Sequence, residues 1–339
     1  MEDKNIENFL RSKYEFSGFN VDKLAGDASD RKFYRVTFNE PVCSGSERAV
    51  LMVLEQPWTD GELPYLNVRV FMEKAGLPVP ALYHADLASG LILIEDYGDA
   101  TLEDAIRNAP AKTEDLYKLA VDLMLRIQIE GAKARDESCM AFSLSFDVEK
   151  LMFEFNFFYE HAIMNYKCGG VAHADESIIQ AGFQKIAETL AAEPRYLTHR
   201  DYHSRNLMVT GGGELGLVDF QDARLGPLQY DLVSLLLDSY VKIPDALIVK
   251  LYEYYLDRLE RVYGMKQDRA GFDKIYDYMA IQRSIKAAGS FAYLDCVKKK
   301  DRYLKYFAPC LARVGPAASK HAELAPFIAA LSKYVEEIG

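Results

Sequence analysis

Around Gly98 the spacing of apolar residues changes, and that change restricts the chain to two differently built halves. Before it, Lys32–Phe38 (KFYRVTF), Ala49–Leu54 (AVLMVL) and Gly90–Asp96 (GLILIED) are short runs rich in β-branched, aromatic and aliphatic residues, which read as strands. Between the last two, Tyr65–Ala75 carries Leu66, Val70 and Phe71 at helical spacing and is closed by Gly76 and Pro78. After Gly98, Leu102–Ile106, Leu116–Ile129, Val148–Tyr166 and Glu176–Leu190 read as helices. In the third of these, Leu151, Phe155, Phe158, Tyr159 and Ala162 recur at three- and four-residue steps, enough to bury one face. A single strand-like island, about Tyr196 to Phe220, interrupts the helices, which then continue to the carboxyl end. The expectation is an α+β protein of two lobes: a small β-rich lobe over residues 1–96, a larger helical lobe over 97–339, and a hinge at Glu95–Asp99. The length of 339 residues suits about two units of roughly 100–200 residues each.

Composition narrows the function. With 40 basic against 51 acidic side chains the net charge is −11, which argues against a general nucleic-acid or anionic-membrane binder, since either needs a basic face. Apolar runs such as Leu91–Ile94 and Leu232–Leu237 fall far short of the ~20 residues that span a bilayer, and the polar start MEDKNIENFL does not resemble a secretory signal. Five widely spaced cysteines (Cys43, Cys139, Cys168, Cys296, Cys310) without a C-x-x-C pair fit reduced thiols, so a soluble cytoplasmic protein is expected, with no obligate protein partner in evidence.

The island carries the chemistry. Leu197–Asp222 reads LTHRDYHSRNLMVTGGGELGLVDFQD. Asn206 begins one apolar strand and Asp219 ends another, with Gly211, Gly212 and Gly213 between them to permit a hairpin reversal. A hairpin centred near Gly212 and Gly213 sets Asn206 beside Asp219 at its open end, and Asp201 enters the same place from the preceding loop. Two carboxylates and an amide suit a hard ion such as Mg²⁺, which takes few protein ligands and completes its shell with phosphate and water. Asp201 is then left to act as a base or to orient a hydroxyl. His199 and Arg200 complete H-R-D-x-x-x-x-N, the spacing of phosphoryl-transfer enzymes. A structural Asn-and-Asp hairpin cap would not need the His199-Arg200-Asp201 triplet upstream.

On these residues the chain resembles the protein-kinase-like fold, and within it the aminoglycoside phosphotransferase superfamily. The resemblance implies ATP and Mg²⁺ as cofactors, Asp201 as the catalytic Asp, Asn206 and Asp219 as metal ligands, and His203 as a further histidine of the small-molecule branch. Asp219-Phe220-Gln221 stands where protein kinases have D-F-G, and only Asp222–Pro227 separates it from the apolar segment Tyr230–Tyr240. That leaves no room for a peptide-docking platform, so the acceptor is expected to be a small molecule. Three finer motifs, Gly26–Val36 (GDASDRKFYRV), Asp219–Leu236 (DFQDARLGPLQYDLVSLL) and Gln282–Leu294 (QRSIKAAGSFAYL), are similar to those of the bacterial cell-wall amino-sugar kinases, which phosphorylate the anomeric hydroxyl of N-acetylmuramate and N-acetylglucosamine.

Within that resemblance the small lobe binds nucleotide: Gly26, Asp27, Ala28 and Ser29 as the phosphate-covering turn, and Glu95 to Tyr97 as the hinge against adenine. The strand run Ala49–Glu55 lacks the usual phosphate-holding Lys, so Arg31 is the favoured replacement cation, with Lys32 behind it. Glu73 reads as an exposed helix charge. Gln282, Arg283 and Lys286 share a helical face and are expected to cradle an N-acetyl sugar, the positive charge suiting a lactyl carboxylate. Asp222 is expected to bind sugar hydroxyls or pair with Arg224, while His199 and Asp231 support the catalytic loop. Two other readings stay open: an aminoglycoside, choline-like alcohol or other sugar as acceptor, and a non-catalytic nucleotide-binding regulator.

Overall fold

The computed structural model describes residues 2–14, 18–24, 31–42, 45–167 and 170–338. Helix α1 (Glu2–Lys13) precedes strands β1 (Phe19–Lys23), β2 (Lys32–Phe38) and β3 (Arg48–Val53). Helix α2 (Pro64–Lys74) and strands β4 (Leu82–Asp86) and β5 (Leu91–Glu95) follow. The five strands form one antiparallel sheet in the order β1-β2-β3-β5-β4. Its central strands are buried on both faces, which explains why LILI and AVLMV read as nearly continuous apolar runs. Leu91 and Leu93 face Ile6, Phe9 and Leu10 of α1, whereas Ile92 and Ile94 face Val68, Phe71 and Met72 of α2. That is the period-two alternation of a strand covered on each side.

The helical lobe contains α3 (Leu102–Asn108), α4 (Thr113–Leu125), α5 (Val148–Phe158) and α6 (His173–Ala191). A capping box between Thr101 and Asp104 starts α3, and the Asp147 side chain caps α5. The end of α5 runs on as a π-helical turn over Tyr159–Tyr166, so the expected Val148–Tyr166 helix is continuous in path but widens in its second half. The β island comprises β6 (Tyr196–Thr198), β7 (Leu207–Val209), β8 (Leu215–Leu217) and β9 (Arg224–Gly226). Helices α7 (Gln229–Leu236), α8 (Asp245–Tyr263) and α9 (Arg269–Cys296) come next, followed by short terminal helices. The 28-residue α9 packs against α5 and α7, and it is buried on several faces rather than one. Gly289 lets the α5 backbone close on it: a Cβ there would lie 2.7 Å from Phe158 Cα. Among the described residues no helix is long and apolar enough to cross a membrane.

Candidate active site

Two short ladders bring the reactive loops together. β6 pairs with β9 (Thr198 opposite Arg224) and β7 pairs with β8 (Leu207 opposite Leu217), so loops 199–206 and 218–223 run side by side. The hairpin register centres on Gly212, as its glycines predict. Asn206 accepts the Val218 N–H through its carbonyl at 3.1 Å, donates from Nδ2 to the Asp201 carbonyl at 2.9 Å, and lies 3.5 Å from Asp219 Oδ2. The three expected residues therefore meet at one place. Arg200 and Asp219 both adopt left-handed backbone, φ 80° and 62°, unusual for residues with a Cβ and characteristic of positions held in place by their surroundings.

Asp231, buried on α7, supports the loop as expected: its carboxylate accepts the N–H groups of His199 (2.7 Å) and Arg200 (3.1 Å). Burial pushes this carboxyl up to about 7, while the two N–H groups and Arg283 pull the other way. Asp238, which the sequence did not single out, accepts the Ser204 N–H at 2.9 Å. Burial lowers His199 to about 4 against the pull of Asp219 and Asp201, so the ring is neutral and its Nε2–H serves the Val218 carbonyl at 3.0 Å. Burial lowers His203 as well; its Nε2 lies 3.4 Å from Asn206 Nδ2 and its ring meets Tyr240 edge-on. Its contacts are thus with the loop and the Tyr240 wall.

Asp201 stands among cations. Lys286 Nζ is 2.9 Å from Oδ1, Arg283 3.8 Å from the same oxygen, and Arg200 3.8 Å from Oδ2. Burial acts to raise this carboxyl, but Lys286, Arg200 and Arg283 together outweigh it and hold the group well below the usual carboxylate range. Lys286→Met removes the strongest of these. The acid limb of the kcat/KM profile, set by protonation of Asp201, is then expected to move to higher pH by roughly one to three units. A pH–rate profile of the variant that overlays the parent's would contradict this.

Asn206 and Asp219 border a cavity of about 370 Å³ between the sheet and the helical lobe, where Met52, Ile94 and Tyr97 provide apolar walls. Its size and lining suit a nucleotide. Asp201 does not line it; Asp201 borders a separate, smaller hollow of about 100 Å³ with His203, Tyr240 and Lys286. Arg31 reaches into the larger cavity and sets Nη2 3.1 Å from Asp219 Oδ1, while Lys32 is exposed at the start of β2. Gly26, Asp27, Ala28 and Ser29 lie outside the described residues. Glu95 and Tyr97 both line the cavity, but the Glu95 N–H is engaged by the Ala81 carbonyl at 2.9 Å and its carboxylate accepts the Ala81 N–H at 3.1 Å. The Tyr97 ring packs flush on Gly216, where a Cβ would come within 2.3 Å of it. Glu73 is bound to Arg69 on its own helix at 2.7 Å. Among the described residues no group of three His, Cys, Asp or Glu side chains is arranged for a metal. Asn206 and Asp219, both lining a nucleotide-sized cavity, nonetheless offer the sparse, hard oxygen donors that suit Mg²⁺ bound partly by phosphate; in the structure Asp219 Oδ1 accepts from Gln221 Nε2 at 2.8 Å and from Arg31 at 3.1 Å.

The expected acceptor residues separate. Arg283 and Lys286 turn to Asp201, with Arg283 also donating to the Tyr230 hydroxyl at 2.8 Å, and both line the hollow that Asp201 borders. Gln282, fully buried, donates to Glu154 of α5 at 2.8 Å and does not reach Asp201. Asp222 pairs with Arg200 at 2.9 Å and only loosely with Arg224 at 3.7 Å. Sequence reasoning did not single out Lys150 and Glu154 of α5, which lie 3.7 Å apart; their four-residue spacing was the available signal. It also missed Arg35. From β2 Arg35 forms a fork with Asp96 (2.6 and 3.0 Å), donates to the Gly98 carbonyl at 3.1 Å, and pairs with Asp99.

With this geometry in hand, the chain can be set beside known proteins. An N-acetylmuramate/N-acetylglucosamine kinase of Neisseria meningitidis serogroup B is 30% identical over 97% of this chain and 95% of that one. Choline kinase from Cryptosporidium parvum superposes with a TM-score of 0.65 at 11% identity, covering 99% of this chain and 100% of that one. The ADP-bound aminoglycoside phosphotransferase APH(2'')-Ib gives a TM-score of 0.57 at 14% identity, covering 93% and 98%. These structures share the two-lobed protein-kinase-like fold. The family model for phosphotransferase enzymes matches residues 20–269, a span that holds the sheet, both reactive loops and Asp231. The chain that assembles Asp201, Asn206 and Asp219 at the mouth of a nucleotide-sized cavity belongs to the phosphotransferase enzyme family.

Proposed function

We propose that the protein transfers the terminal phosphoryl group of ATP to the anomeric hydroxyl of an amino sugar, N-acetylmuramate or N-acetylglucosamine, with Mg²⁺ as cofactor. The observation that carries the reading is the placement of Asp201 outside the large cavity while Asn206 and Asp219 line it. Nucleotide phosphates on one side and an acceptor hydroxyl on the other then meet at the Asn206–Asp201 contact. In this reading residues 1–96 form the nucleotide lobe, residues 97–339 carry the catalytic loop and the acceptor site, and the protein works in the cytoplasm. Relatives named for the two sugars support the choice of acceptor. So do the cations beside Asp201, which would repel a choline-like or aminoglycoside cation.

Mg²⁺ held by Asn206 and Asp219 would supply charge neutralisation at the phosphates. Arg31 adds a protein cation at the same place. Asp201, held ionised by its neighbours, orients the sugar hydroxyl and takes its proton late, once the new P–O bond has begun to form and the hydroxyl has become acidic. The bond from phosphorus to the ADP oxygen breaks, and ADP leaves. Incubation with Mg-ATP and each sugar, read by ³¹P NMR, should show a sugar 1-phosphate; its absence at high enzyme concentration with both sugars refutes the assignment.

A further inference from the structure

We propose that Lys150, together with Arg224, seats a carboxylate carried by the acceptor, so that the anionic amino sugar is the preferred substrate. The inference rests on the amino-sugar reading above. It begins with where α5 starts. The Phe146 N–H donates to the Leu225 carbonyl at 2.9 Å, Ser145 bridges to Leu225, and the Arg224 guanidinium lies 5.4 Å over the Phe146 ring. The first turn of α5 is thereby laid along β9, and Lys150 is brought to the Arg224 side of the reactive loops.

Neither cation has a close counter-charge. Lys150 Nζ comes no nearer than 3.7 Å to Glu154 Oε1, and Arg224 Nη2 no nearer than 3.7 Å to Asp222 Oδ1 among the described residues. Charge-assisted pairs normally close to about 2.7–2.9 Å. Asp222 is already taken at that distance by Arg200, so neither Lys150 nor Arg224 has a carboxylate to itself. Burial lowers both the Lys150 ammonium and the Arg224 guanidinium, and the Arg200 charge pushes each the same way. An incoming anion relieves that crowding. The other cations near Asp201 are held more closely: Lys286 by its carboxylate at 2.9 Å, and Arg283 by the Tyr230 hydroxyl at 2.8 Å.

The seat is also in register with the chemistry. Arg200 touches Asp201 on one side and Asp222 on the other, so a carboxylate on Lys150 and Arg224 lies one side chain from the reacting hydroxyl. It opens on the Lys150 side: the Lys150 side chain is 24% exposed and that of Asp222 48%, with Arg224, 9% exposed, beneath them and donating from Nε to the Asp222 carbonyl at 3.1 Å. The hollow behind Asp201 is narrow, about 100 Å³, and the Lys150 seat lies outside it, on the Asp222 side of Arg200. Beneath Lys150, the Oε1 atoms of Glu154 and Gln282 are buried without hydrogen-bond donors.

The two sugars make the test, because N-acetylmuramate bears a lactyl carboxylate and N-acetylglucosamine does not. Steady-state kinetics on the full chain should show kcat/KM for N-acetylmuramate falling about tenfold in Lys150→Gln and further in Lys150→Glu. N-acetylglucosamine turnover and the KM for ATP should stay within about twofold. The methyl ester of N-acetylmuramate should be as poor for the parent as the free acid is for Lys150→Gln. Equal losses with both sugars, a raised KM for ATP, or an ester that matches the acid in the parent would each overturn the seat. Phosphate transfer by the parent to neither sugar would instead remove the amino-sugar reading, and the seat with it.

Discussion

Asp201→Ala is expected to lower kcat by about 10³-fold while leaving nucleotide affinity nearly unchanged. The asymmetry follows from the walls of the two cavities: Asn206, Asp219 and Arg31 face the nucleotide space, whereas Asp201 borders the other hollow. The loss has two sources. The hydroxyl is no longer oriented, and Lys286 and Arg283 are left facing each other without the carboxylate that both approach. Asp201→Asn keeps the shape and removes only the charge, so it should fall almost as far. Rates measured beside ATP titration calorimetry decide the matter: nucleotide affinity falling in step with rate would place Asp201 in the wrong half of the site.

Asp219→Asn should show the opposite signature. Asparagine tolerates the left-handed backbone at φ 62°, so the change isolates the charge. A loss of about 10²–10³ in kcat/KM is expected, with nucleotide affinity falling too and losing its dependence on Mg²⁺. Arg31, 3.1 Å from the Asp219 carboxylate, would then have no counter-charge there and could partly offset the defect at the phosphates. ATP binding measured with and without Mg²⁺ checks this; an undiminished Mg²⁺ dependence in the variant would remove Asp219 from the ligand set.

The reactive loops were legible because their chemistry demands particular side chains at short spacing. His199, Asp201, Asn206 and Asp219 lie within one hairpin and its approach, where local geometry alone brings them together. The central strands were equally plain, since burial on both faces leaves unbroken apolar runs. β1 (FNVDK) and β4 (LYHAD) escaped notice because each lies at a sheet edge, half-exposed and mixed in composition. α1 hid behind its charges, although Ile6, Phe9 and Leu10 already marked a narrow apolar stripe. The partners of the expected acceptor residues were hidden for a different reason. Helical spacing correctly put Gln282 and Lys286 on one side of α9, but a helix surrounded by others meets different partners at each turn. Glu154 of α5 took Gln282, and Asp201 took Lys286. No period in the sequence encodes which neighbour comes from 85 or 128 residues away.

Arg35 also has a mechanical consequence. Its guanidinium fastens Asp96 and the Gly98 carbonyl to β2, so the chain as far as Gly98 travels with the sheet. Two residues later, the Ala100 carbonyl accepts the Val209 N–H at 2.8 Å and Thr101 bridges to Met208, which binds the chain to the hairpin. Between these anchors the backbone turns at Gly98, whose φ of 92° is natural to glycine, while further ties join the halves elsewhere: the Pro78 carbonyl accepts the Leu217 N–H at 2.7 Å, and Asn67 of α2 bonds to Ser138 and Met140. Any rotation of one half on the other would have to break these ties or carry them along, so the connector alone does not set its axis.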